Sequence, residues 1–240
     1  MIIAVINNKG GVGKTTTTVH IAHALQSQGE RVLCVDMDDQ ASLITHFFGI
    51  KTTMALRKAA QEQSLPSIIQ HNSGVDVLPL SFMEKGKDFY QKTIRIHAAN
   101  YDHIFLDCPP SLEKRTFAAL DIADSVLIPV EPDGLSVAGL NRLLETITEE
   151  YHTEILGLVI TRYNAKKSAH TFFAKQIPQF YADYYIDIPI PDSSVFSAAA
   201  TEGKSGYDYW KKKQLHPALQ AYTDVANELR EHRFTRSLMR

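Results

Sequence analysis

A chain of 240 residues is long enough to bury a full hydrophobic core, and residues 1–240 are expected to form one domain. Its hydrophobic and charged fractions, 44% and 22%, are ordinary for a soluble globular protein, and no apolar run is long enough for a signal peptide or a membrane span. The net charge of −2 excludes a uniformly basic nucleic-acid binder, but residues 203–240 carry eight Lys/Arg against four Asp/Glu, so a local basic surface is compatible with the whole.

In chain order, short apolar runs read as strands buried on both faces, as a parallel sheet requires. They are "IIAVI" (2–6), "RVLCV" (31–35), "VDVLPL" (75–80), "HIFLD" (103–107), "SVLIPV" (125–130), "ILGLVI" (155–160) and a weaker "YYIDIPI" (184–190). Helical stretches separate them: Thr15 to Gln28, closed by Gly29, then Phe82 to Ala99, Glu113 to Ala123, Leu135 to Tyr151, Ser168 to Ala182 and Pro217 to His232. The alternation predicts an α/β fold, a three-layer doubly wound and mostly parallel sheet with its sites at the C-terminal strand edge. The first strand opens the chain, which leaves no room ahead of it for a helix-turn-helix. Cys34 and Cys108 end two of the buried strands and read as inert core thiols in a reducing cytoplasm. His20 and His23, three apart on a helix, lack further ligands and read as packing residues.

Three motifs carry chemistry. In "NNKGGVGKTT" a strand runs into a glycine-rich turn and then a helix, the context of a phosphate loop. The backbone N–H groups of Gly10, Gly11, Val12, Gly13 and Lys14, with the positive helix end, can surround a β-phosphate. Lys14 would reach the β- and γ-phosphates, the Thr15 hydroxyl would ligate Mg²⁺, and Thr16 would donate to the α-phosphate. In "FLDCPPS" Asp107 stands at a strand tip, where a carboxylate can hold Mg²⁺ through a water, ahead of a loop stiffened by Pro109 and Pro110. In "VDMDDQAS" Asp36 and Asp38 share one side of an extended chain. Asp36 would support the metal shell and Asp38 would orient a water for in-line attack, with Asp39 a solvated turn residue.

In this order and spacing the motifs resemble the ParA/MinD group of deviant phosphate-loop ATPases, and most specifically the ParA/Soj partitioning family. "KGGVGKTTTTVHIAHAL", "RVLCVDMDDQAS", "YDHIFLDCPPSLEKRTFAALDIADSVLIPVEPDGLSVAGL" and "EILGLVITRYN" carry the resemblance, which covers residues 1 to about 164. Two departures stand out. Asp39 occupies the family's usual proline position, and residues 186–213 differ from the family's arginine-containing sequence.

The resemblance implies ATP and Mg²⁺ as cofactors and an ATP-dependent sandwich homodimer in which each Lys9 reaches the partner's ATP. Electrostatics agrees with such a role: at an effective dielectric near 20, unit charges 4 Å apart interact by about 4 kcal/mol, so two facing triphosphates need cations between them. It also implies that Asn164, after the strand at 155–160, meets the adenine edge, although a turn asparagine fits the same place. The functional expectation is a cytoplasmic, nucleoid-associated ATPase switch for plasmid or chromosome partitioning. Its ATP dimer would bind nonspecific double-stranded DNA and be released by hydrolysis that a ParB-like centromere-binding protein stimulates. Lys211, Lys212 and Lys213, with Lys204, are the candidate DNA contacts. Two alternatives stay open: positioning of a protein cargo on the nucleoid, and a MinD-like membrane-associated ATPase. The latter would use "LREHRFTRSLMR", whose Phe234, Leu238 and Met239 give little apolar surface for stable attachment.

Overall fold

The computed structural model describes residues 1–61, 67–83 and 85–238. Eight strands form one sheet in the order β3-β4-β2-β5-β1-β6-β7-β8. They are β1 (Ile2–Val5), β2 (Val32–Asp36), β3 (Ile69–Gln70), β4 (Asp76–Pro79), β5 (His103–Asp107), β6 (Ser125–Val130), β7 (Glu154–Ile160) and β8 (Tyr185–Ile186). Every pairing is parallel except β3 with β4. The doubly wound, mostly parallel sheet expected from the apolar runs is therefore present.

Burial explains the continuous apolar runs. β1 sends Ile3 and Val5 into one core with Val19, Ile21 and Leu25 of helix α1 (Lys14–Ser27) and with Tyr222, Val225 and Leu229 of α10 (Pro217–Leu238). Ile2, Ala4 and Ile6 face the opposite core, with Ala118 and Leu120 of α4 (Lys114–Leu120) and Leu140 and Leu143 of α6 (Leu140–Glu145). Both faces are covered, so alternation with polar residues vanishes. The chain winds outward from β1 in both directions, which opens the crevice between β1 and its neighbours at their C-terminal ends.

Several boundaries depart from expectation. Helix α2 (Ser42–Gln61) falls in a stretch that carries no prediction, and Gly49 interrupts it with φ 73° and ψ 172°, a conformation that glycine alone adopts easily. The expected helix at 82–99 is α3 (Lys87–Arg95), followed by a short 3₁₀ turn at Ala98–Asn100. The expected helix at 135–151 becomes α5 (Gly134–Ala138), α6 and a wider π turn at Thr146–Glu150. α7 (Ser168–Phe180) follows β7, and the strand expected over 184–190 shrinks to the two residues of β8. Two short helices, α8 (Ser194–Thr201) and α9 (Gly206–Tyr209), were not expected. Among the described residues no helix is long and apolar enough to cross a membrane.

Helix α1 is pinned along its length. The Thr17 hydroxyl and the Tyr222 hydroxyl are 3.1 Å apart, and His20, fully buried, stacks on Tyr222. Since the Gly206 N–H donates to His20 Nε2 (2.9 Å), His20 carries its proton on Nδ1 and donates it to the Thr16 carbonyl (2.7 Å). Burial drives its pKa down to about 3, so the ring is neutral. A Cβ on Gly206 would meet Leu219 Cδ2 at 2.6 Å and His20 Nε2 at 2.9 Å, which restricts that position to glycine. His20 is a packing residue, as its spacing suggested.

Candidate nucleotide and metal site

The turn from β1 into α1 depends on two left-handed glycines, Gly11 (φ 76°) and Gly13 (φ 89°). Asn7 braces its entry: Nδ2 donates to the Pro129 carbonyl (2.8 Å), and Oδ1 accepts the Lys9 N–H (2.9 Å). The Val12 side chain is fully buried, while Gly10 and Gly11 are exposed at the mouth. The end of β7 supports the turn from below. The Thr161 hydroxyl donates to the Val12 carbonyl (2.6 Å) and Arg162 Nη1 to the Gly11 carbonyl (2.9 Å). With these carbonyls occupied by the protein, the loop's N–H side is left for an anion at the start of a fourteen-residue helix.

Lys14 lies buried under the loop, with Nζ donating to the Lys9 carbonyl (3.1 Å). Burial lowers its pKa, and the nearby Asp107 and Asp38 carboxylates pull it back up. Thr15 and Thr16 follow in the first turn, both half-buried. The Thr15 hydroxyl donates to Asp107 Oδ2 (2.7 Å), joining the end of the loop to the tip of β5. Asp107 is fully buried between β1 and β2, in register with Val5 and Asp36. Its second oxygen, Oδ1, is buried with no well-formed hydrogen bond, and the Thr18 hydroxyl beside the carboxyl favours its ionised form. Burial pushes the Asp107 pKa up to about 7, against the opposing pull of Thr15 and Lys14. An orphaned carboxylate oxygen beside a threonine hydroxyl and a phosphate loop is the oxygen donor set that suits Mg²⁺, so these residues fit the ion.

The two aspartates after β2 part company. Asp36 is fully buried, and its oxygens accept the N–H groups of Asp38 (3.2 Å) and Ile44 (3.0 Å). Its carboxylate therefore organises the turn into α2; burial and the adjacent Asp107 raise its pKa well above the usual range. Asp38 is buried beside the loop, with Oδ1 accepting the Gln40 N–H (3.0 Å). Burial raises its pKa, and Lys14 draws it down. Asp39 is exposed and accepts a bond from the Gln40 side chain (3.2 Å).

Lys9 is not free. Its Nζ lies 2.5 Å from Asp133 Oδ2 and 3.1 Å from the Ser136 hydroxyl, with 30% of its side chain still exposed. The Lys9 ammonium and the Ser136 N–H help to hold the Asp133 carboxyl below its usual range, although burial opposes them.

A cavity of about 480 Å³ adjoins the loop, lined by Thr16, Arg162, Pro191, Asp192, Ser193 and Phe196 among others. Asn164, expected at the adenine edge, is not part of this lining; its Oδ1 accepts the Lys166 N–H (3.0 Å) in a turn ahead of α7. Arg162, at φ 53°, and the 191–193 turn that the Tyr163–Pro191 bridge brings alongside form one wall of this cavity. Another groove, about 360 Å³, lies at the opposite sheet edge, where Tyr101 is bonded to Asp76 and Arg31 to Asp102. It touches none of the loop residues.

Lys211, Lys212 and Lys213 form an exposed segment after α9, with Lys212 Nζ 4.8 Å from the Trp210 ring centre. Lys204 is bound to Glu202 (2.7 Å), which weakens it as a phosphate contact. Of the residues proposed for membrane contact, Phe234 and Leu238 lie on α10 with side chains outside the described set, and Met239 lies outside the described residues.

Residues 1–156 match the AAA domain family. The chain is 31% identical to the chromosome partitioning protein ParA of Caulobacter vibrioides over 252 residues, covering 95% of this chain and 93% of that one. It is 29% identical to the sporulation initiation inhibitor protein Soj of Bacillus subtilis over 256 residues, covering 95% and 97%. The fold superimposes on the septum site-determining protein MinD of Pyrococcus horikoshii, a complex with Mg-ADP, with a TM-score of 0.74 at 22% identity and 95% coverage of both chains. The phosphate loop, the Thr15–Asp107 junction and the relatives over nearly the whole length agree, and the chain belongs to the ParA/Soj family of partitioning and positioning P-loop ATPases.

Proposed function

We propose that the protein is an ATP-driven dimerisation switch that partitions DNA. The observation that carries this reading is the junction of Thr15 with Asp107, whose second oxygen is left unpartnered beside Lys14 and Asp38. Gly10 to Lys14 would hold the β-phosphate through backbone N–H groups, with Lys14 also reaching the γ-phosphate. Thr15 and Asp107 would hold Mg²⁺, which when bound would neutralise phosphate charge. Asp38 would orient the attacking water in line with the γ-phosphate. Arg162 and the 191–193 turn would flank the adenosine, with Asn164 the other candidate for the adenine edge.

Lys9 gives the dimer its nucleotide dependence. It leaves Asp133 and crosses to the partner's ATP, where it offsets repulsion and stabilises charge that develops in the transition state. Loss of the γ-phosphate removes the bridge. Two subunits together present two copies of Lys211–Lys213, and such phosphate contacts bind duplex without regard to sequence. A ParB-like protein at a centromere-like site would stimulate hydrolysis and release the dimer on the nucleoid.

The test is duplex binding with ATP, ADP or no nucleotide, comparing wild type with Lys9→Ala, Lys14→Ala and Asp38→Ala. Wild type and Asp38→Ala bind with ATP, and the two lysine variants do not. Wild-type affinity that ignores the nucleotide rejects the switch. Binding to anionic liposomes in place of duplex returns the MinD-like reading.

A further inference from the structure

Arg115 lies in the first turn of α4, just past the Asp107–Ser111 loop, and its guanidinium turns back beneath the loop that carries Asp38. Nη1 donates to the carbonyls of Met37 (3.1 Å) and Ser81 (2.8 Å), and Nη2 reaches the Met83 carbonyl (3.4 Å). Met37 follows β2 and Ser81 follows β4, and these strands pair with Asp36 opposite Pro79. Beyond their last pair the chains leave the sheet, and a single cation collects carbonyls from both. A guanidinium suits this place because its donors are fixed in one plane and spread over several directions.

The Met37 carbonyl and the Asp38 N–H belong to the same peptide unit. Its oxygen accepts from Arg115 and its N–H donates to Asp36 Oδ1 (3.2 Å), so the plane is held from both sides. The preceding peptide is held as well, since the Met37 N–H donates to the Asp107 carbonyl (3.0 Å). The peptide plane fixes the Asp38 N–Cα bond, and the Ala41 N–H on the Asp38 carbonyl (2.9 Å) restrains rotation about it, so together they set the direction in which Cβ leaves the chain. We infer that Arg115 is a positioning residue for ATP hydrolysis: with Asp36 it fixes the Met37–Asp38 peptide, and through it the aim of the Asp38 carboxylate. Arg115 touches neither Asp38's carboxylate nor the phosphate loop, and it acts through the backbone alone. The inference rests on the hydrolytic role given above to Asp38.

The experiment pairs steady-state hydrolysis with amide hydrogen exchange in wild type, Arg115→Ala, Arg115→Lys and Asp38→Ala. Misaiming a water-orienting group costs rate, so Arg115→Ala is expected to lose about ten- to a hundredfold in kcat while KM for ATP stays within about twofold. Arg115→Lys regains part of the loss. Guanidinium ion at tens of millimolar, about what filling the vacated site needs, raises the kcat of Arg115→Ala and leaves wild type unchanged, whereas a merely destabilised protein would be slowed by it. Exchange at the amides of residues 38–41 is faster in Arg115→Ala, with the rest of the sheet unaltered. Full kcat in Arg115→Ala, or a loss that neither lysine nor guanidinium repairs, overturns the inference. If Asp38→Ala hydrolyses ATP as wild type does, the hydrolytic reading is at fault. Exchange then judges the clamp alone, and unchanged protection at 38–41 rejects it.

Discussion

Lys9 and Asp133, 124 residues apart, form an ion pair across the mouth of the phosphate loop, and Asp133 also accepts the Ser136 N–H at the start of α5. The lysine proposed to reach the partner's ATP is thus held within its own subunit, by a bond that the proposed dimerisation would break twice.

A pair this exposed contributes up to about 1 kcal/mol, so two give about 2 kcal/mol, or about thirtyfold in the dimer dissociation constant. Asp133→Asn keeps the helix cap and removes the charge. Sedimentation of this variant with ATP should show dimers at lower protein concentration than wild type, by up to that factor. A dimer of unchanged or reduced affinity would mean that Lys9 has no cross-subunit task.

Asp107 supplies a pH signature. Its folded pKa of about 7 lies above the ordinary aspartate value, so the folded, ion-free protein keeps a proton that the unfolded chain releases. Its contribution to stability is present at low pH and is lost as pH rises from about 4 to 7, by at most about 4 kcal/mol. Relative to wild type, Asp107→Asn should gain thermal stability across that window and bind Mg²⁺ poorly with nucleotide. A difference that is flat with pH would contradict the raised pKa that burial gives this carboxylate.

Arg162 and Asn164 separate two views of base recognition. Loss of the Arg162 bond to Gly11 and of its place on the cavity wall should weaken ATP binding by about five- to tenfold in Arg162→Ala. Asn164→Ala should remain within about twofold of wild type, the loss of an exposed turn bond being small. Fluorescent-nucleotide titrations decide between them; the reverse ranking would restore Asn164 to the adenine.

The lysine segment is tested by salt. If all six lysines of a dimer meet phosphates, replacing Lys211, Lys212 and Lys213 by alanine should flatten the log–log salt dependence of duplex binding by about 5. An unchanged slope would place the DNA elsewhere.

Local signals carried most of what the sequence revealed. Glycines 11 and 13 announce left-handed turns, Lys14 and Thr15 follow at fixed spacing, and strands covered on both faces leave unbroken apolar runs. Helix α2 was missed because its apolar and polar residues follow no clear stripe and Gly49 divides it. The cavity wall had no sequence signal because Arg162 meets residues 191–193 only through a late bridge in the fold. Asp36 and Asp38 share a spacing but not a fate, since a helix N-terminus takes the first carboxylate and leaves the second at the loop. Neither the Lys9–Asp133 pair nor the Arg115 clamp has a signature in neighbouring letters; each is made by the topology.

His20 ties the first turn of α1 to Gly206, five residues before the lysine segment, and with a pKa near 3 it stays uncharged through any acidity a living cell sustains. That one tie between the phosphate-loop end of the molecule and its basic flank therefore keeps its hydrogen bonds across that range of proton concentration, and acts as a fixed mechanical strut.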